Sequence, residues 1–225
     1  MDMTWLGHAC FRMRGREGVV LTDPPDPKSG HAIPKTEASL VTMSHDHPGH
    51  ASLRSVGGEP VILRGPGEYE VHEVLVTGVG SFHDDDKGSA RGRNTVFAIR
   101  LDDLVICHLG DLGHALPAAD LEKLGDVDIA LVPISGPDTN LSAARAAEVV
   151  HQLEPKVVVH ADDYARAISN VVSAASGDAS DAFFFVDGLT VFALALFGLA
   201  CAVAAHALFV STARSSGGGG RSLAA

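Results

Sequence analysis

Short apolar runs broken by Gly, Pro and Asp set the pattern of the first half of the chain. Residues 4–13 and 19–22 read as two strands joined by the charged, glycine-rich turn GREG. The second stops at Asp23, where PPDP cannot continue a sheet. SLVTM (39–43) is a further apolar strand and runs straight into SHDHPGH. PVIL (60–63), EVLVTGV (73–79), NTVFAIRL (94–101) and LVICHLGD (104–111) follow as strands separated by turn residues. The period then lengthens, predicting helices over 117–124 and 142–153. In the second, Ala146, Val149, Val150 and Leu153 share one stripe. VDIALVPI (127–134) reads as a buried strand between them, and PKVVV (155–159) starts another. Strands first and strand–helix alternation later predict sheets covered by helices, a layered α/β or α+β architecture.

The composition changes at ASGDASD (175–181), and the chain reads as a folded domain (1–165), a linker (166–188), an apolar segment (189–210) and a Gly/Ser-rich flexible tail (211–225). LTVFALALFGLACAVAAHALFV contains no formally charged residue and has the length of a bilayer-crossing helix. A C-terminal membrane anchor is the favoured reading. A buried helix and a foreign segment joined to the domain are the alternatives. Asp178, Asp181 and Asp187 precede this run and Arg214 and Arg221 follow it, an asymmetry that keeps the C-terminus cytoplasmic.

Composition narrows the function classes. A formal net charge of −11 argues against a nucleic-acid partner, because phosphate neutralisation needs clustered Lys and Arg. The three cysteines (Cys10, Cys107, Cys201) form no C-x-x-C pattern, as expected of reduced thiols and not of a Cys-based zinc site. MDMTWLGHACF lacks the basic and apolar regions of a signal peptide. The expected location is therefore cytoplasmic, with anchoring by the C-terminal helix. Twelve histidines stand out, several beside Asp and Gly at loop positions.

His45, His47 and His50 follow an apolar strand, and neutral imidazoles converging where a chain turns sharply are favoured ligands of Zn, Mn or Fe. His83 ends another strand ahead of the acidic loop HDDDKG, and Asp111 sits in a glycine-flanked turn after a third. Each is weak alone; their order carries the signal. With TWLGHACF, LTDP, GPGEYEV, GRNTVF, HLGDLGH and AAEVVHQLEPKVVV, this order resembles the metallo-β-lactamase superfamily. The nearer likeness is its branch of small Zn-dependent hydrolases, which includes ascorbate-6-phosphate lactonase-like proteins.

The resemblance spans residues 1–159 and implies a four-layer αβ/βα sandwich with an altered C-terminal part. It also implies a site of one or two zinc ions, with Mn or Fe as substitutes. By position, His45, His47 and His83 would hold the first metal and His50 would face the second, with Asp111 bridging. Asp23 would orient a ligand imidazole from behind the histidine loop. His8 reads either as a further ligand in the same cleft or as a packed histidine. Two positions depart from the family. Its H-x-H-x-D-H pattern has Gly49 where the aspartate belongs, and His160 stands two positions before the histidine that completes the second site.

The implied function is a metal-dependent hydrolase that uses a metal-activated water on an ester, lactone, amide or phosphoester bond, with Asp111 and His50 as catalytic residues. The alternatives are a non-catalytic metal-binding or interaction protein with a degenerate second site, and a two-iron redox protein. The expected partner is a small-molecule substrate. Lys87, Arg91 and Arg93 either receive an anionic group or balance Asp84, Asp85 and Asp86. A membrane partner would come only through 189–210, and no oligomeric state is assigned.

Overall fold

The computed structural model describes residues 1–134 and 140–161, together with the backbone of 183–186 and 189–192. The chain runs through β1 (Asp2–Gly7), β2 (Cys10–Arg14), β3 (Val19–Thr22), β4 (Thr36–Glu37), β5 (Leu40–Met43), β6 (Val56–Gly57) and β7 (Val61–Arg64). A meander of β8 (Gly67–Val71), β9 (Val74–Phe82), β10 (Arg93–Leu101) and β11 (Leu104–His108) follows. Then α1 (Ala118–Leu124), β12 (Ile129–Val132), α2 (Ala143–Leu153) and β13 (Val157–His160) alternate, before β14 (Phe183–Val186) and β15 (Leu189–Phe192).

The strands form two large sheets, ordered β1-β2-β3-β5-β7 and β15-β14-β13-β12-β11-β10-β9-β8, and a small β4-β6 ribbon. Between the large sheets lies a core of Phe11, Met13, Val20, Leu40, Val76, Phe97, Ile99 and Leu131. On the far face of the larger sheet, Val96, Ala98, Cys107 and Ala130 pack on Leu124, Ala146 and Val149 of the two helices. β10 is buried along almost its whole length because its alternate side chains enter these two cores. The outer face of the smaller sheet carries Cys10, Leu21, Val41 and Met43 beneath Ile33, Ala38 and Val56, so loops and the ribbon form that layer among the described residues. The result is the expected layered sandwich.

Two expectations change. The single strand read over 4–13 is a hairpin, β1 and β2, because Gly7 (φ 123°) and His8 (φ 52°) reverse the chain. A period-two pattern carries no mark of such a tight reversal within LGHAC.

The membrane anchor over 189–210, with the membrane contact and membrane-anchored location drawn from it, is also corrected. Among the described residues no helix is long and apolar enough to cross a membrane. Leu189–Phe192 instead form β15, paired antiparallel with β14, which itself joins β13 at Val159 and Phe185. Thr190, Val191 and Phe192 suit a strand, so the absence of charge here marks sheet and not span. Residues 193–210 lie outside the described residues.

Candidate metal centre

Four strands of the two large sheets end at one edge. β3 and β5 are parallel neighbours, with Thr22 opposite Thr42, and they deliver Asp23 and the Ser44–His50 loop side by side. β9 and β11 both lie antiparallel to β10 and therefore point the same way, delivering His83 and the Leu109–Asp111 turn. Thr95 N–H donates to Ser44 O (2.9 Å), tying the two sheets together at this edge.

The ligand atoms of His45, His47 and His50 lie within 4.8 Å of one another, as do those of His45, His83 and Asp111. Asp111 is the hub: its Oδ2 stands 3.2 Å from His50 Nε2, 3.4 Å from His83 Nε2 and 3.7 Å from His45 Nε2. In a tetrahedral metal site with ligand bonds of about 2.0–2.1 Å, neighbouring donors stand about 3.3 Å apart. The donor set therefore fits a divalent transition metal in both spacing and chemistry.

Asp23 is fully buried and organises the imidazoles from beneath. Its Oδ1 accepts the Ser44 amide (2.7 Å), and its Oδ2 accepts the Ser44 hydroxyl and faces His50 Nδ1 (2.8 Å). With Nδ1 donating to Asp23, His50 directs Nε2 toward Asp111. Ser44 Oγ also lies 2.9 Å from His45 Nδ1, so one hydroxyl couples the second imidazole to the same carboxylate. Asp111 is held by its amide, which donates to Asn94 Oδ1 (3.0 Å), while Asn94 Nδ2 donates to Ser81 Oγ and Leu109 O. Gly110 (φ 57°) permits that turn: an added Cβ would stand 2.5 Å from Asn94 Oδ1 and from Ser44 Cβ. Ser44 and Asn94 were missed as site residues, although both adjoin segments that carry the motif, in MSHDH and GRNTVF.

The electrostatics follow from this packing. Burial pulls His50 down, but the Asp111 and Asp23 carboxylates outweigh it and lift its pKa to about 10 in the metal-free protein. His45 goes the other way, to about 4, through burial and the charge on His50. Burial likewise lowers His47, with a contribution from His50. Partial burial pushes Asp111 up, yet His50, His45 and His83 hold its carboxyl far below the usual carboxylate range. It is thus ionised at neutral pH.

His8 faces the cluster, with its Nε2 3.0 Å from His50 Nε2. His160 ends β13, buried and paired in register with Val132, outside both ligand groupings. Lys87 and Arg91 are exposed on the loop after His83, and Arg93 is exposed at the start of β10. That loop is shaped by Asp84, whose carboxylate accepts the amides of Asp86, Gly88, Ala90 and Arg91. Cys10 and Cys107 are free, buried thiols, and burial pushes Cys107 up to about 12.

A family model described as the beta-lactamase superfamily domain matches residues 2–161. The chain belongs to the metallo-β-lactamase superfamily. Among curated members, it is 29% identical to a UPF0173 metal-dependent hydrolase of Methanoregula boonei, over 60% of this chain and 70% of that one. It is 30% identical to a UPF0173 protein of Pyrococcus furiosus, over 71% and 81%. A solved metallo-β-lactamase superfamily structure from Thermotoga maritima, described as a candidate Zn-dependent hydrolase, is 37% identical with a TM-score of 0.58. That match covers 70% of this chain and 73% of the other. The diiron β-hydroxylase CmlA of Streptomyces venezuelae shares the metallo-β-lactamase fold at 17% identity and a TM-score of 0.54, over 71% of this chain and 44% of that one. These superfamily relationships support a metal-dependent hydrolase in general terms.

Proposed function

We propose that the protein hydrolyses an ester, lactone, amide or phosphoester bond of a small-molecule substrate, with zinc as the favoured ion. The observation that carries this reading is the convergence of His45, His47, His50, His83 and Asp111 at ligating separations on one sheet edge. His45, His47 and His83 with Asp111 would hold one ion, and Asp111 with His50 would face another. A bound ion supplies an activated water and an electrophilic pole for the oxyanion that develops. Asp111, kept ionised among three imidazoles, is available as a ligand and accepts hydrogen bonds at its carboxylate oxygens. Asp23 and Ser44 fix the rings so that their distal nitrogens need little reorganisation. Substrate would approach beside exposed His47, which borders an open depression of about 590 Å³ lined also by Asp46, Ser52 and Leu53.

Gly49 favours a second reading, a metal-binding protein without turnover, because the family aspartate is missing there. Metal analysis joined to assays on ester, lactone, amide and phosphodiester substrates separates the two. The hydrolase reading expects bound metal and turnover of at least one class, with both falling to background in the double variant His45→Ala/His47→Ala. Turnover that survives the double substitution would overturn it.

A further inference from the structure

The missing carboxylate at position 49 leaves a question of space. Gly49 is buried in the cluster, and an added Cβ would stand 3.1 Å from His8 Nε2 and 3.1 Å from His47 Nδ1. A side chain leaving the backbone at 49 is thus aimed at the place where the His8 imidazole already sits. His8 reaches that place from the β1–β2 reversal, at a φ of 52° that non-glycine residues rarely adopt. Such a conformation persists only where its surroundings hold it. Here the Trp5 indole N–H donates to His8 O (2.7 Å), and the His31 ring stacks on the His8 ring at 4.5 Å between centroids, 10° from parallel.

The tip of the ring points at the ligand cluster. His8 Nε2 stands 3.0 Å from His50 Nε2, the same nitrogen that lies 3.2 Å from Asp111 Oδ2. These are two of the three edges of a site built from His8, His50 and Asp111, and each is close to the roughly 3.3 Å edge of a tetrahedral site with bonds of about 2.0–2.1 Å. His8 itself lies outside the two groups whose ligand atoms all stand within 4.8 Å of one another, so its ring would have to close toward Asp111 as an ion binds. We propose that His8 is the ligand that replaces the lost aspartate, so that His8, His50 and Asp111 hold a second metal ion in a nitrogen-richer site. This rests on the hydrolase reading for the presence of metal, not for turnover. Exchanging a carboxylate for a neutral imidazole leaves the second ion with one negative charge fewer around it. It also shifts preference toward metals that favour nitrogen over oxygen donors.

Titration of the metal-free full chain with Zn(II), followed by calorimetry, and with Co(II), followed by its visible absorption, tests the assignment. The wild type is expected to take up two ions. His8→Ala should retain the first and bind the second at least tenfold more weakly, with loss of its part of the Co(II) spectrum. His8→Gln, which keeps a hydrogen-bonding group facing His50 but is a poor ligand, should show the same loss and covers the case in which His8→Ala does not fold. The double variant His8→Ala/Gly49→Asp should recover the second ion, because the carboxylate then enters the space the imidazole has left. Full second-ion affinity in His8→Ala or His8→Gln would overturn the proposal, as would a wild type that binds only one ion. A wild type that binds none would overturn the hydrolase reading with it.

Discussion

Asp23 divides its carboxylate between one backbone amide and two side chains, whereas Asp84 turns its own wholly toward backbone amides. Both are buried, and each supports a loop that carries metal-ligand candidates. Asp23 accepts from Ser44 and His50 and reaches His45 through the Ser44 hydroxyl, so it sets ring orientation. Asp84 accepts four loop amides and sets the course of the chain after His83. Both carboxyls lie below the usual range despite burial. Asp23 is held there by His108, His50 and Ser44, and Asp84 by its backbone donors. The difference separates orienting a ligand from shaping the loop that bears one.

The largest effect is expected from Asp23→Ala. It strands His50 beside an unfilled space and should cost about 3–5 kcal/mol of stability in urea unfolding. Metal affinity should fall about 10–100-fold in the same protein. An affinity within twofold of the wild type would erase the contrast.

Next comes the response to pH without metal. His50 keeps its extra proton in the folded protein to a pH of about 10, while the unfolded chain releases it near 6.5. Between those values the folded state holds more protons, so this stabilisation, complete below pH 6.5, is lost as pH rises through about 10. His45 has the opposite sign. Its folded value is about 4, so the unfolded chain holds more protons between 4 and 6.5 and stability falls as pH drops across that window. Urea midpoints measured in chelator should therefore peak near pH 6.5. A flat alkaline limb would show that Asp23 and Asp111 do not hold charge on His50.

The smallest effect is expected from Asp84→Ala. It should lower Tm by a few degrees while leaving metal stoichiometry and the alkaline limb unchanged. Loss of metal in this variant would make Asp84 a partner of the site and not of the loop alone.

The contrast also explains what the sequence could and could not show. Asp23, His45, His47, His50, His83 and Asp111 are legible because each follows an apolar strand, and strand ends sharing an edge bring such residues together. The helix over 142–153 is legible from its stripe, and it forms as Ala143–Leu153 with Ser142 as its cap. Ser44 and Asn94 are not, since one hydroxyl and one amide acquire meaning only from their partners across the sheets. Nor is the His8 turn, because a reversal at positive φ leaves no trace in hydrophobic periodicity. The apolar run at 189–210 misleads for a related reason: length and lack of charge suit a membrane helix, while strand pairing at Leu189–Phe192 depends on β14 and β13, which the run does not contain.

The parallel register of β3 and β5 has a consequence for the order of folding. Asp23 and Ser44 meet because Thr22 lies opposite Thr42, and a slip of one residue would part them by about 3.3 Å and turn alternate side chains to the wrong face. His83 and Asp111 arrive from a different sheet, through pairings remote in sequence from the first. His45, His47 and His50 share one short stretch, but His83 and Asp111 do not, so the whole donor set exists only after both sheets have formed. Tight uptake of metal by a refolding chain would therefore time the moment at which both sheets have closed on one another.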